Sequence, residues 1–289
     1  MKSIYTLVSD IQHYITTNED WYDKVSEDFV SQSRNRLNNR TGDTNNKKGT
    51  LRLSGLADRC PKALWYSIHH PDQAQQLPPD AQFKYGYGHI IEIMTLSLAR
   101  LSGHTVEGEQ DELRVDGVVG HRDAVIDGCV VDVKSCSSIA FSKYKDGTFS
   151  EATDDFGYLY QLDGYVLGSS MDAIVTVKDK GYILAIDKQM GHMALYEHRI
   201  RPERIRSRIA YYKYIAERPT APICECGTIQ SKTVGETVLN TRASYSAYKH
   251  ICFPNLKTLM IKGRPYYVPE RNHGTDMERT SFNGTIAQS

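Results

Sequence analysis

The stretch that decides the fold class of this chain is GVVGHRDAVIDGCVVDVK, residues 117–134. Its apolar runs around an Asp-Gly pair predict two short strands joined by a turn at residues 126–128. Asp123 is predicted on the first strand, and Asp132 and Lys134 on the second. Because side chains alternate across a strand, Asp132 and Lys134 point to the same face. The stretch therefore predicts two carboxylates and an ammonium at the edge of a small sheet.

This set of charges predicts a metal site. Carboxylate oxygens are the ligands that a hard cation such as Mg²⁺ prefers, and a neighbouring lysine can orient or activate a water. The combination indicates metal-assisted cleavage of a phosphodiester. A solvated surface hairpin is the alternative, but the many valines of the stretch place the strands in a core sheet. Charges at the edge of such a sheet require a partner or a metal.

Helices are predicted on both sides of this stretch. Residues 83–104 carry apolar side chains at helical spacing, with His89 and Glu92 within one turn of each other near the start of the helix. Either residue could turn towards the Asp123 site. Residues 156–168 form a second helical run, followed by two more predicted strands, 173–178 and 182–187. The Asp179-Lys180-Gly181 turn between them predicts a hairpin.

Four segments, in the same order, match those of a known enzyme superfamily. They are LRLSGLADRCPKALWY at residues 51–66, Gly88-x-x-x-Glu92, Gly120-His121-x-Asp123 followed by Asp132-Val133-Lys134, and Gln161-Leu162-x-x-Tyr165. On these segments the chain resembles the PD-(D/E)XK nucleases, and more closely the RecB-like exonucleases, including CRISPR-associated and bacteriophage enzymes. The resemblance implies an α/β (α+β) fold with a restriction-endonuclease-like core. That core is a central mixed sheet flanked by helices, with helical N-terminal and C-terminal additions.

The resemblance also implies a set of metal ligands. Glu92 corresponds to the helix residue that completes the metal shell, and His89 is the alternative for that role. Asp123 and Asp132 correspond to the metal-bridging carboxylates, and Val133 is assigned to the same shell. The implied ion is Mg²⁺ or Mn²⁺.

Three further residues have implied catalytic roles. Lys134 corresponds to the lysine beside the attacking water. Gln161 and Tyr165, four residues apart and therefore on one helix face, correspond to the pair that steadies this lysine and the nucleic-acid backbone. Simple packing of a helix face is the alternative for this pair.

The overall charge limits how the chain could bind nucleic acid. Lys+Arg and Asp+Glu both number 35, so the formal net charge is zero. A general polyanion binder is normally more basic, and we therefore expect a localised basic groove. Its candidate residues are Arg52, Arg59 and Lys62, beside Trp65, on which a base could stack. The alternative for Trp65 is a position in the core of a helix.

The predicted organisation has four parts. Residues 1–50 form an N-terminal helical extension, and residues 51–200 form the nuclease core, beginning with a helix at 51–70. Residues 201–268 form a helical, cysteine-bearing C-terminal segment, which opens with a basic helix at 201–218. Residues 270–289 are polar and are expected to be a flexible tail.

Six cysteines are present, and four of them suggest a second metal site. Cys129 and Cys136 bracket the strand of Asp132 and are expected to be core thiols. The resemblance implies a [4Fe-4S] cluster with one cysteine before the nuclease core and three behind it. Cys60 and Cys252 match the outer positions, whereas the two usual middle positions near Tyr245 hold no cysteine. Cys224 and Cys226 could supply the missing thiolates, so a cluster, a zinc ion and no metal all stay open.

The leading functional hypothesis is a metal-dependent DNA exonuclease acting at single-stranded or duplex ends, in phage recombination or DNA processing. A structure-selective endonuclease with the same site and a non-catalytic DNA-end-binding protein are the alternatives. The chain has no GxxxxGK[ST] loop, so a helicase or a single-strand annealing or binding protein is the expected partner. No signal peptide or bilayer-spanning stretch is visible, which predicts a cytoplasmic protein, in the host cytoplasm if viral. The oligomeric state is left open.

Overall fold

The computed structural model describes residues 2–40, 49–56, 60–76 and 78–270, with residues 35–40 as backbone. Its helices are α1 (Leu7–Thr17), α2 (Trp21–Arg40), α3 (Pro61–His69), α4 (Pro79–Leu101), α5 (Ser138–Lys145), α6 (Tyr158–Gly168), α7 (Pro202–Glu217), α8 (Thr241–Ser244) and α9 (Lys249–Cys252). Its strands are β1 (Val106–Glu107), β2 (Glu112–Val115), β3 (Val118–His121), β4 (Ala124–Ile126), β5 (Cys129–Cys136), β6 (Val177–Asp187), β7 (Met193–Arg199), β8 (Thr228–Gln230), β9 (Thr237–Leu239), β10 (Leu256–Ile261) and β11 (Arg264–Pro269). Arg59 and the tail after Glu270 lie outside the described residues.

The centre of the molecule is a mixed sheet with the strand order β1-β4-β5-β6-β7. Strands β5 and β6 are parallel, and the other neighbouring pairs are antiparallel. Helices α5 and α6 lie between β5 and β6 in the chain and provide the crossover that a parallel pair requires. The fold class expected from the sequence, a central mixed sheet flanked by helices, is therefore confirmed.

A tight turn joins β4 to β5 and fixes the position of the central strand. Ile126 pairs with Cys129, so only Asp127 and Gly128 form the loop. Both have positive φ, 49° and 79°, as a two-residue type I′ turn requires. Asp127 is held in place by His104, whose Nδ1 lies 2.6 Å from the Asp127 Oδ2. The Asp-Gly pair thus determines the register of the hairpin.

The two faces of the sheet pack against different helices. Val131 and Val133 of β5 belong to the cluster that includes α1 and α4, whereas Val130 belongs to the cluster that includes α3, α6 and α7. Side chains alternate along a strand, so Asp132 and Lys134 share the face of Val130. The two charged residues therefore lie on the α6 side of the sheet.

The hairpin predicted at residues 173–178 and 182–187 is wrong. Residues 177–187 form one continuous strand, β6, and its antiparallel partner is β7. Gly181 is a packing residue and not a turn residue: a Cβ there would lie 2.7 Å from the side chain of Leu162 and 2.8 Å from that of Val166. The glycine allows α6 to approach the strand closely.

Two other local predictions require correction. Among the described residues of the helix predicted at 51–70, the α-helix is α3, which Pro61 begins with a fixed φ. Before it, Leu53–Gly55 form a single 3₁₀ turn. The first strand of the 117–134 stretch is also broken, because β3 ends at His121 and β4 begins at Ala124. Asp123 therefore lies between two strands and not on one.

The helical N-terminal extension is present as α1 and α2, and the basic helix at 201–218 is present as α7. Beyond α7 the regular structure is mostly β, because two antiparallel hairpins, β8–β9 and β10–β11, flank the one-turn helices α8 and α9. The expectation of a helical C-terminal segment is therefore wrong beyond α7. Within the described ranges, no helix is both long and apolar enough to cross a membrane.

Candidate active site and cysteine cluster

Asp132 and Lys134 form a close ion pair inside the molecule. Asp132 is fully buried in the middle of β5, and Lys134 lies two residues further along the same face. The Lys134 Nζ is 2.7 Å from the Asp132 Oδ2 and donates a hydrogen bond to Oδ1 at 2.9 Å. The predicted shared face of these residues is confirmed.

Asp123 is brought beside this pair by the break between β3 and β4. Its Oδ2 accepts a hydrogen bond of 2.8 Å from the backbone N–H of Val133. That contact connects the bend directly to β5, between Asp132 and Lys134. Val133 therefore orients Asp123 through its backbone N–H. The role of Val133 as a metal ligand stays a prediction.

Glu92 comes to the site from α4, near the middle of that helix and not near its start. It is 8% exposed, an unusual burial for a glutamate. The Oε1 of Glu92 accepts a hydrogen bond of 2.9 Å from Gln110 Nε2, and its Oε2 lies 3.6 Å from His89 Nδ1. The His89 side chain is half exposed, so of the two α4 candidates Glu92 is the one enclosed by the fold.

The electrostatics of the site show that the carboxylates interact strongly. Burial, followed by the charges of Asp132 and Glu92, raises the pKa of Asp123 well above its usual value. Burial also raises the pKa of Asp132, although Lys134 offsets part of this effect. Burial alone would lower the pKa of Lys134, but the charges of Asp132 and Asp123 outweigh it and raise that pKa. The site thus contains more negative charge than its lysine neutralises.

The three carboxylates are less tightly grouped than a second set of side chains in the molecule. Among the described residues, four cysteines have ligand atoms that all lie within 4.8 Å of one another, and Glu92, Asp123 and Asp132 do not form such a group. The carboxylates nevertheless act on one another, because the charges of Asp132 and Glu92 both raise the pKa of Asp123. The structure therefore brings the predicted acids into one region, with Glu92 held partly by Gln110.

Helix α6 supplies the remaining side chains of the site. Gln161 Nε2 donates a hydrogen bond of 2.7 Å to the Tyr165 hydroxyl, which confirms that the two residues share a face. The Lys134 ammonium instead lies over the ring of Tyr158, 4.8 Å from its centroid. Tyr158 was not predicted as a site residue, although its position three residues before Gln161 could have indicated it. A cation over an aromatic face is held in a defined direction.

Arg122 is a buried residue whose importance the sequence did not reveal. It is 2% exposed and donates to Gly108 O at 3.1 Å, Asp111 Oδ2 at 2.8 Å and Asp172 Oδ2 at 2.6 Å. These bonds hold the loop before β2 next to the bend between β3 and β4. The loop carries Gln110, and the bend carries Asp123. Arg122 therefore positions two parts of the acidic site without contacting the carboxylates that form it.

The predicted DNA-binding residues have separate locations. Arg52 is exposed and lines a cavity of about 500 Å³. Lys62 donates a hydrogen bond to the carbonyl of Ile251 at 3.2 Å. Trp65 is 8% exposed, donates to the carbonyl of Arg218 at 2.9 Å and stacks on His69 with ring centroids 4.3 Å apart. Trp65 is thus a core residue, and its prediction as a stacking surface for bases is wrong.

The cysteines divide as the sequence suggested. Cys60, Cys224, Cys226 and Cys252 form the four-sulfur group, which we call the cysteine cluster. Cys129 is buried and Cys136 is half-buried. Burial raises the pKa of each of these two thiols to about 11, as expected for unreactive core thiols.

Comparison with known proteins found solved structures of low sequence identity. No protein-family model and no curated protein matches the chain. Among solved structures, SSO0001 has a TM-score of 0.42 and 15% identity, covering 80% of this chain and 95% of that chain. An alkaline exonuclease (LHK-Exo) from Laribacter hongkongensis has a TM-score of 0.42 and 10% identity, with coverage of 58% and 86%. A phage-related exonuclease from Haemophilus somnus has a TM-score of 0.37 and 13% identity, with coverage of 58% and 93%.

These structures include exonucleases, the class of enzyme that the sequence motifs resemble. At such identities and TM-scores the likeness assigns no activity. The chemistry of this chain is therefore argued from its own residues.

Proposed function

We propose that this chain is a divalent-metal-dependent DNA exonuclease that hydrolyses phosphodiester bonds at DNA ends, in phage recombination or DNA processing. The observation that carries the proposal is the group formed by the buried Asp132 and Glu92 with the partly buried Asp123 and Lys134. An excess of buried negative charge is unfavourable unless a cation compensates it. A site of this kind is therefore better explained by metal binding than by structural stabilisation.

The donor set fits a hard divalent cation. The Asp132 Oδ2 is buried without a hydrogen bond of good geometry, although the Lys134 ammonium is near it. Asp123, Asp132 and Glu92 would hold Mg²⁺ or Mn²⁺, with Val133 and His89 as further candidate ligands. When bound, the ion would lower the pKa of a water and neutralise charge that develops on the phosphate.

Lys134 would act on the attacking water as a hydrogen-bond donor. Its pKa is raised, so the ammonium form dominates and cannot accept a proton. The ring of Tyr158 and the carboxylate of Asp132 fix the direction of the ammonium. Gln161 and Tyr165 would contact the nucleic-acid backbone near the same point, and burial raises the pKa of Tyr165, which keeps its hydroxyl protonated.

Two surfaces of the molecule support a nucleic-acid substrate. The cavity next to β3 is lined by Arg52, Arg114, His121 and Lys213, although Glu112 and Glu217 also line it. Such cations could contact phosphates. On the exposed first half of α4, the Phe83 and Tyr85 side chains are 77% and 62% exposed. These rings could stack on bases in place of the buried Trp65.

Digestion of end-labelled single-stranded and duplex DNA tests the proposal. We expect cleavage with Mg²⁺ or Mn²⁺ and none with EDTA. Asp132→Asn and Lys134→Ala should each lower the rate about 1,000-fold or more, because each removes several kcal/mol of transition-state stabilisation. The matched controls are Asp146→Asn and Lys145→Ala, both at exposed positions at the end of α5. Full activity of folded Asp132→Asn and Lys134→Ala would refute the site.

The same assay distinguishes the competing functions. An exonuclease degrades linear duplex and leaves a covalently closed circle intact, whereas a structure-selective endonuclease cuts the circle or an internal junction. Binding of DNA ends without cleavage in either metal would identify a non-catalytic end-binding protein. Either of these last two outcomes overturns the exonuclease proposal.

A further inference from the structure

The spacing of sulfurs in the cysteine cluster identifies what kind of metal site it can be. The Sγ atoms of Cys60 and Cys224 are 3.7 Å apart, those of Cys60 and Cys252 are 3.8 Å apart, and all four lie within 4.8 Å of one another. Sulfurs that each lie about 2.3 Å from one tetrahedral zinc ion are about 3.8 Å from one another. The observed pairs therefore have the spacing of ligands that share a single ion.

This spacing does not fit the [4Fe-4S] cluster that the sequence resemblance implied. In a four-iron cluster each thiolate binds a different iron, so the cysteine sulfurs are separated by the body of the cluster. Sulfurs at 3.7 and 3.8 Å leave no room for that body. The same distances exclude disulfides, whose S–S bond is about 2.05 Å, and all six cysteines are free.

We propose that Cys60, Cys224, Cys226 and Cys252 bind one zinc ion as a closed tetrathiolate site. Four thiolates in a tetrahedron are a common structural ligand set for zinc. Backbone N–H groups support the sulfurs, because Glu225 N donates to the Cys60 Sγ at 3.3 Å and Cys226 N donates to the Cys224 Sγ at 3.4 Å. Cys60 also precedes the first turn of α3, where the helix dipole favours a thiolate.

The place of the cluster in the fold makes this zinc a cross-link. Cys60 is 164 residues before Cys224 and 192 residues before Cys252. The ion would therefore join the start of α3 to the segment after α7 and to α9. The hydrogen bond from Lys62 to Ile251 lies in the same contact between α3 and α9. Because all four coordination positions are occupied by protein, the site is structural and not catalytic.

Metal analysis of the full-length protein tests this assignment without any variant. We expect elemental analysis to find one zinc per chain and X-ray absorption to find about four sulfur neighbours at ~2.3 Å. A brown protein that contains several irons and acid-labile sulfide per chain would overturn the zinc assignment. A protein purified without chelator that contains no stoichiometric metal would overturn it as well.

Substitutions locate the ion. Cys224→Ser and Cys252→Ser should each lower zinc occupancy at least ~10-fold at limiting free zinc, because a structural site rarely tolerates the loss of one ligand. Cys136→Ser is the matched control, since this half-buried thiol lies outside the cluster and contacts the Ile186 carbonyl. Unchanged zinc content in both cluster variants would show that the cysteine cluster does not bind the ion.

The assignment is independent of the nuclease proposal. It requires neither DNA nor Mg²⁺, and a chain that binds zinc without cleaving DNA would still satisfy it. Conversely, a chain that binds no zinc would not contradict the nuclease proposal, because the cleavage assay tests the acidic site on β5 separately.

Discussion

At the residue scale, the acidic site is a group of charges that destabilises the folded chain when no metal is bound. Asp132 is fully buried and Asp123 is half-buried, and Lys134 provides one positive charge near both carboxylates. Asp123 has one backbone donor, Val133 N–H, to compensate its burial. The repulsion between the carboxylates therefore has a measurable consequence for stability as a function of pH.

We expect the metal-free chain to lose stability as the pH rises from about 4, relative to an Asp123→Asn variant. The folded-state pKa of Asp123 is raised above the unfolded value of about 3.9, so the native chain binds the extra proton in the window between these two values. Asp123 therefore makes its full contribution to the free energy of unfolding below that window. This contribution is lost as the pH rises through the window. Asp132, whose pKa is also raised, acts in the same direction.

Denaturant unfolding in EDTA between about pH 4 and about pH 8 measures this difference. The other carboxylates are present in both proteins, so the comparison with Asp123→Asn removes their contribution to the pH dependence of stability. Several of them have lowered pKa values, and their contribution to stability rises with pH. Mg²⁺ or Mn²⁺ should raise the melting temperature of the wild-type chain and leave that of the variant nearly unchanged. Parallel curves for the two proteins, with and without metal, would contradict this account.

At the scale of elements, α6 is the helix on which the catalytic arrangement depends. Tyr158, Gln161 and Tyr165 all lie on it, and its N-terminus is capped by the buried Asp154. The Asp154 Oδ1 accepts from Gly157 N at 2.8 Å and Tyr158 N at 3.0 Å, and Oδ2 accepts from Leu159 N at 2.9 Å. One carboxylate therefore satisfies three backbone donors of the first turn.

Asp154→Ala should lower the free energy of unfolding by about 2 kcal/mol, because it removes a helix cap and leaves buried N–H groups without acceptors. It should also lower the cleavage rate, since Tyr158 follows directly from the capped turn. Urea unfolding and a cleavage assay measure the two effects. Asp155→Ala, which changes the exposed neighbouring residue, is the matched control. Equal stability of the two variants would show that the cap contributes little.

At the scale of the whole molecule, the α6 side of the sheet carries most of the candidate site, and α4 on the other side contributes Glu92. Leu7 of α1 is fully buried in the cluster with α4, and Leu162 of α6 is fully buried in the cluster on the other side. Asp132 and Lys134 point to the α6 side, and their predicted partners Gln161 and Tyr165 belong to α6. The two leucines therefore form a matched pair for separating stability from activity.

Leu7→Ala and Leu162→Ala should each cost about 2–5 kcal/mol of unfolding free energy, because each leaves a cavity in a packed core. Below both melting temperatures, Leu7→Ala should cleave DNA at nearly the wild-type rate. Leu162→Ala should cleave about 10-fold more slowly, because α6 is displaced and small displacements of positioning groups are costly. Urea unfolding and steady-state cleavage measure these quantities. Equal activity losses in the two variants would contradict the larger contribution of the α6 side to the site.

The sequence by itself determined the parts of the molecule that depend on local pattern. Alternation along residues 129–136 placed Asp132 and Lys134 on one face, and the Asp127-Gly128 pair determined the hairpin turn. The four-residue spacing of Gln161 and Tyr165 predicted their contact. Each of these follows from the fixed geometry of a strand, a turn or a helix.

Only the tertiary structure decided the features that depend on contacts between distant segments. Gly181 resembles a turn residue until α6 is seen packed against it, and Trp65 resembles a stacking residue until α7 covers it. The contacts of Tyr158 with Lys134 and the spacing of the Cys60 and Cys252 sulfurs likewise join residues far apart in the chain. Periodicity and motifs describe a segment by its own dihedral angles, whereas burial and ligand geometry depend on which segments the complete fold brings together.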